Sequence, residues 1–258
     1  MTRETITRRA ALVGAMGGGL ILSGCDKLSQ SETFQRMLQA AEKLSLRTQR
    51  LALTSSQPLA REYQPSDISR VFKANGTVRP DSLAYANLAV GGFADWRLKI
   101  DGMVKKPMSL SLGELKAMPA RTQITRHDCV EGWSAIGQWT GVPLSHLLQM
   151  AELTPNAHYL VFHCADDLLG SRDGSGLYYE SIDLVDAFHP QTIMAYAMNG
   201  KTLPIAYGAP LRLRVERQLG YKMAKYVMRI EAVQEFSKIG FGKGGFWEDR
   251  GYEWYAGI

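Results

Sequence analysis

The chain predicts an α+β fold and argues against a doubly wound parallel sheet. Three observations carry this. From Trp96 onward, apolar and polar residues alternate over short stretches such as WRLKIDGMV, the period of a half-buried strand. Helical stretches such as SLGELKAM and VPLSHLLQMAEL are brief. The connections are short, and strand and helix do not alternate as stacked βαβ units require.

In chain order, Arg8-Arg9 precede the apolar run ALVGAMGGGLIL, and no charge occurs from Ala10 to Gly24. The run is too short and glycine-rich to span a bilayer securely. It matches an export signal, and the arginine pair suggests the twin-arginine route, which exports folded proteins. Leu22-Ser23-Gly24-Cys25 resembles a bacterial lipoprotein box, so Cys25 is the expected lipidation site. The alternative is an ordinary signal with a chance cysteine. Acyl chains on Cys25 would tether the chain to a membrane, each buried CH2 adding about 0.8 kcal/mol.

Residues 1–24 thus read as a signal, 25–70 as an amphipathic helix and linker, and 71–258 as the body. Ser29-x-x-Glu32 has capping-box spacing. Phe34, Met37, Leu38, Ala41 and Leu44 follow at helical intervals, predicting a helix to about Leu53. Turn formers crowd residues 54–95 (Pro58, Pro65, Asn75-Gly76, Pro80, Gly91-Gly92), which read as irregular wrapping with short helices. WRLKIDGMV then predicts a strand, SLGELKAM a short capped helix, and RTQITRHDCV a strand entering a loop. VPLSHLLQMAEL predicts a helix, HYLVFHC a strand and SIDLVDAF a helix. TIMAYAMNGKTL reads as a strand with an Asn-Gly turn, and APLRLRVE and KYVMRIEAVQEF as closing strands.

The formal charge of +5 falls to +3 once residues 1–24 are set aside (27 Lys and Arg against 24 Asp and Glu). That is too mild and scattered to argue for a nucleic-acid partner. With 45% hydrophobic residues, the remaining 234 residues can bury one large core.

The chemistry concentrates in RHDCVEGW, where His127, Asp128 and Cys129 are consecutive. Cys129 has several readings: a core thiol, half of a disulfide with Cys164 in an oxidising compartment, or a metal ligand. A zinc site with His127, His163 and Cys164 is disfavoured, because neither H-x-C nor adjacent H-C is a usual ligand spacing. Adjacent strand residues also face opposite ways.

RHDCVEGWSAIGQWTGVPLSHLL resembles the core motif of the sulfite-oxidase-type molybdopterin domain, in the bacterial periplasmic branch that includes a molybdenum-dependent methionine sulfoxide reductase. SIDLVDAFHPQTIMAYAMNGKTLPIAYGAPLRL and FKANGTVRP are similar to the same family, so the resemblance runs from about Val71 to Phe236. It implies a mixed-sheet fold, a molybdenum–molybdopterin cofactor and Cys129 as the metal's protein ligand. A thiolate is a soft donor suited to that role, and His127 and Arg126 are expected to favour the deprotonated sulfur.

The resemblance further assigns cofactor contacts to Asn75, Cys164, Tyr207, Arg212, Met223, Ala224 and Lys225, with Arg212 and Lys225 clamping the phosphate. Cys164 stands where relatives carry Thr or Ser, and Tyr207 where they carry Asn or His. Tyr178 or Tyr179, in LYYESI, matches a substrate-pocket tyrosine; the alternative is an aromatic pair packing at a helix start. Trp133 and Tyr178 join Cys129 as candidate catalytic residues.

The implied activity is oxygen-atom transfer, with a small sulfoxide or N-oxide reduced at the metal. A true sulfite oxidase is disfavoured: VEGWSAIG carries Glu131 and Trp133, Ala74 precedes Asn75, and no arginine occurs between Cys129 and Arg172. Trp133 and Trp139 would favour a neutral, partly apolar substrate if they face the pocket. A different class of reading is a non-catalytic periplasmic lipoprotein with a Cys129–Cys164 disulfide. The chain has no haem-attachment Cys-x-x-Cys-His, so electrons are expected to pass through a separate haem- or quinol-linked membrane partner. The chain stops soon after Phe236, and a monomer lacking the C-terminal dimerisation domain is expected.

Overall fold

The computed structural model describes residues 31–34, 36–37, 40–41, 44, 48, 59–171 and 173–258. The expected signal, Cys25 and Arg172 lie outside the described residues. The chain divides into two compact units, Met1–Gln57 and Pro58–Ile258. In the first, every described residue from Glu32 to Thr48 is helical. Arg36 pairs with Glu32 one turn back at 3.5 Å, and the Thr48 hydroxyl donates to the Leu44 carbonyl at 2.8 Å.

The described strands of the second unit are β1 (Arg97–Gly102), β2 (Met108–Ser111), β3 (Arg121–Asp128), β4 (Ser134–Pro143), β5 (Tyr159–Asp167), β6 (Leu177–Asp183), β7 (Ile193–Met198), β8 (Lys201–Thr202), β9 (Arg212–Arg214) and β10 (Val227–Val233). The helices are α1 (Leu83–Val90), α2 (Leu112–Ala117), α3 (Leu144–Ala151) and α4 (Leu184–Ala187). One sheet has the order β2-β1-β10-β5-β6; β1 and β10 are parallel and its other pairs antiparallel. The other is the antiparallel run β3-β4-β7-β8, with β9 on β7. The α+β class and the mixed sheet follow as expected.

Local chemistry sets most boundaries. Ser111 and Glu114 form a reciprocal capping box that starts α2. Asn199 and Gly200 both have positive φ, the conformation a tight β7–β8 hairpin requires. α3 begins after Pro143 and stops at Ala151, where Glu152 turns left-handed. Its apolar face buries Leu144, Leu147, Leu148 and Ala151 against Leu98, Ile100, Leu160, Phe162 and Ile230 in the larger core. Trp139 is fully buried in a second cluster with Phe72 and Ile193, so it faces the core and not a pocket.

Two expectations need correction. Ser181–Asp183 complete β6, and only Leu184–Ala187 of SIDLVDAF are helical, capped by the Asp183 side chain accepting from Asp186 N at 2.9 Å. LYYESI likewise belongs to a strand, not a helix start. Its residues from Tyr178 to Ile182 are all buried, which erases the alternation that marks a strand. The C-terminal segment pairs along its free edge: Glu180 bridges to Gly245, and Phe246 N donates to Tyr179 O at 2.9 Å.

Candidate active site

The β3–β4 hairpin delivers Cys129. Asp128 and Ser134 close the ladder, and between them Gly132 N donates to Cys129 O at 3.0 Å while Cys129 N donates to Trp133 O at 2.9 Å. Gly132 has φ +84°, which admits this tight return. The Cys129 side chain enters a pocket of about 750 Å³, counting its open mouth. Opposite stand Asn75, Gly76 and Thr77; Asp166 ends β5 with Asp167, and Leu168 follows it; Tyr178 comes from β6; Gly220, Tyr221, Met223 and Lys225 precede β10; Trp247 and Tyr252 come from the C-terminal segment. Of the expected site residues, Cys129, Asn75, Tyr178, Met223 and Lys225 converge here.

Five do not line it. Arg212 is buried behind Met223: its guanidinium donates to Tyr207 O at 2.9 Å and Met223 O at 3.4 Å, and stacks 4.8 Å from the Trp139 ring. Burial, with the neighbouring Arg214, lowers it to about 9. Arg212 therefore braces the wall, while its Nε is left without a partner. The Tyr207 hydroxyl donates to Phe72 O at 2.6 Å. Ala224 is buried, its carbonyl taken by Leu213 N. Cys164 is buried on β5 opposite Val227. Trp133 packs edge-on against Phe72 and donates its indole N–H to Glu131 at 3.1 Å. Cys129 and Cys164 are both free thiols, so the alternative disulfide is not formed. Among the described residues no cluster of three or more His, Cys, Asp or Glu suits a metal, which leaves the zinc reading without support.

The expected activation of the thiol by Arg126 and His127 also needs correction. Arg126 pairs with Asp128 at 2.9 Å. His127 is wholly buried; desolvation and then Arg214 push it well below its ordinary value, and Arg214 lies 3.1 Å from its Nδ1. Burial holds the Cys129 thiol above its ordinary value, with a backbone bond at Glu131 acting the other way. A bound cation is what would draw the proton off this sulfur.

Lys225 closes the pocket's floor. Its ammonium donates to Asn75 O at 2.7 Å, Ala206 O at 3.1 Å and Thr77 O, and burial lowers it to about 7. Beside it, desolvation raises Asp166 to about 6, and its Oδ1 is buried without a partner. Sequence reasoning missed Asp166, because Asp166-Asp167 at a strand end reads as a solvated turn. It also missed Tyr221, Trp247 and Tyr252, which carry no motif. With its three donors taken by carbonyls, Lys225 does not serve as the expected phosphate clamp. The soft sulfur of Cys129 and the unpaired buried oxygen of Asp166, which suits an N–H edge, fit a molybdopterin.

A family model described as "Oxidoreductase molybdopterin binding domain" matches residues 87–239. The chain belongs to this family. As a molybdopterin-binding oxidoreductase it is an enzyme, and its cofactor is the molybdenum–molybdopterin group. It is 37% identical over 256 residues to the "Putative protein-methionine-sulfoxide reductase subunit YedZ1" of Azospira oryzae, covering 98% of this chain and 89% of that one. A solved structure, the sulfane dehydrogenase SoxCD from Paracoccus pantotrophus, is similar with 23% identity and a TM-score of 0.48. That similarity covers 55% of this chain and 39% of that one. Two walls of the pocket, Asn75–Thr77 and Trp247 with Tyr252, lie outside the residues matched by the family model.

Proposed function

We propose that this oxidoreductase reduces a small sulfoxide, as the catalytic subunit of a periplasmic, lipid-anchored enzyme with a separate electron-donating partner. The observation that carries the substrate reading is the pocket's charge. Its described lining holds Glu131, Asp166 and one lysine, and no arginine. A sulfite dianion would meet two carboxylates and no arginine where attraction is needed. Lys73 holds Glu131 at 3.0 Å, and Trp133 and Lys73 keep its carboxyl below the usual range, so it stays ionised. The name of the Azospira relative supports the same substrate class and, by the word subunit, a partner.

The cofactor supplies two-electron redox chemistry and oxygen-atom transfer; reduction consumes two protons and releases water. The chain's residues hold and orient. Cys129 provides the protein sulfur, Asp166 and Asn75 face the cofactor's polar edge, and Lys225 ties the Asn75–Thr77 loop to the floor. Tyr178 lines the pocket with its ring, while its hydroxyl proton is donated to Tyr221 O. It is therefore proposed as a wall and not as a proton donor. Arg212 is proposed to act on the cofactor through the Met223–Lys225 turn that it braces. Residues 1–24 as a signal, Cys25 as the lipidated terminus and 25–70 as a tether complete the proposal; residues 60–69 of that tether lie against the body, with Tyr63 N donating to Ile124 O at 2.9 Å.

Purified protein should contain near-stoichiometric molybdenum and reduce methionine sulfoxide with a dye donor. Cys129→Ser should lose both turnover and the sulfur-to-metal absorption. Sulfite oxidation with kcat/KM above about 10⁴ M⁻¹s⁻¹, and none on sulfoxides, would overturn the substrate assignment. Fractionation tests the address: Cys25→Ala should release the protein from membranes.

A further inference from the structure

We propose that Trp247 and Tyr252 form a substrate subsite that takes the alkyl side of a neutral sulfoxide, its S-methyl and adjoining methylenes. The inference rests on the sulfoxide reading above and names what that pocket grips.

The two rings stack, with centroids 5.4 Å apart and planes at 26°, and Tyr221 meets Tyr252 edge-on at 5.2 Å. All three line the pocket that holds Cys129. Trp247 is only partly buried and Tyr252 is 38% exposed, so a stacked pair stands at the mouth with apolar surface left to water. Covering that surface is favourable, because it removes apolar area from water. The ring faces carry negative potential. They attract polarised methyl groups and sulfur, and they oppose an anion. The selectivity is therefore for an uncharged alkyl sulfoxide, in the same direction as the arginine-free lining.

The pair is held rigidly, as a recognition surface needs to be. Trp247 is followed by the 3-10 turn Glu248–Arg250, and Tyr252 N donates back to Trp247 O at 3.0 Å. Glu248 is buried against Lys222 at 2.6 Å, and Lys222 is held from the other side by Glu180 at 2.5 Å. Asp249 accepts from the Tyr179 hydroxyl at 2.5 Å and from Phe241 N at 2.9 Å. The subsite lies beyond residue 239, outside the residues matched by the family model.

The test uses molybdenum-loaded full-length protein, with methionine sulfoxide as the ligand. Trp247→Ala and Tyr252→Ala should each raise KM about tenfold and weaken the Kd of the oxidised enzyme, measured by calorimetry without reductant, by a similar factor. Their kcat should stay within about threefold and their molybdenum content unchanged. Trp247→Phe should restore most of the affinity, because it keeps an aromatic face. Unchanged KM and Kd in both alanine variants, with wild-type turnover intact, would overturn the subsite alone. Wild-type protein that is loaded yet reduces no sulfoxide would overturn the substrate reading beneath it. Tyr252 is 38% exposed, so its variant keeps the test decisive if Trp247→Ala misfolds.

Discussion

Asp166 and Lys225 face the same pocket and are both displaced by burial, to about 6 and about 7 from ordinary values of 3.8 and 10.5. Between 3.8 and 6 the folded chain keeps an Asp166 proton that the unfolded chain has released, so this contribution to stability is lost as pH rises. Between 7 and 10.5 the unfolded chain binds a Lys225 proton that the folded chain lacks, so stability climbs with pH. On account of these two groups the cofactor-free protein is least stable at about pH 6 to 7, the interval between the two folded values. Chemical denaturation across pH should show that Asp166→Asn abolishes the acidic slope and leaves the alkaline one. At this scale Cys129, Asn75 and Lys225 were legible because a family motif surrounds each. Asp166 was not, because an acid at a strand end is ordinary until burial strips its solvent.

At the scale of elements, the close parallel pairing of β1 with β10 depends on Gly102. It has φ +82°, and a Cβ there would overlap the Ala232 carbonyl on the neighbouring strand. Gly102→Ala is expected to cost about 2 kcal/mol or more, read as a lower urea midpoint with unchanged slope. The strands β1, β3, β5, β7 and β10 were readable from alternation or apolar runs, and α2 from its capping box. β6 was not, because a strand buried on both faces loses its period-2 pattern. The SIDLVDAF error has the same origin: its first three residues extend that covered strand.

At the scale of the molecule, the C-terminal segment is fastened by a buried charge cluster. Lys222 sits between Glu180 and Glu248, with all three side chains at most 1% exposed. Lys222→Met would strand two buried carboxylates and should lose roughly 3–5 kcal/mol, the usual cost of breaking a buried pair from one side. Limited proteolysis should then cut within residues 238–258 before the body unfolds. If cleavage and global unfolding remain coincident, the segment is held by its aromatic packing alone.

The sequence by itself determined the family, the α+β class and the placement of Cys129 in a loop after β3. Those properties reside in contiguous residues, where turn chemistry, capping and motif spacing act over a few positions. Only the tertiary structure decided which charges face the pocket. Arg212 and Lys225 look alike as cations near the starts of β9 and β10, yet the fold turns Arg212 onto Trp139 and Lys225 onto a loop 150 residues away. It likewise brought Trp247 and Tyr252 beside Cys129, more than a hundred positions distant in the chain. Such contacts depend on burial and sheet order, which no local pattern encodes.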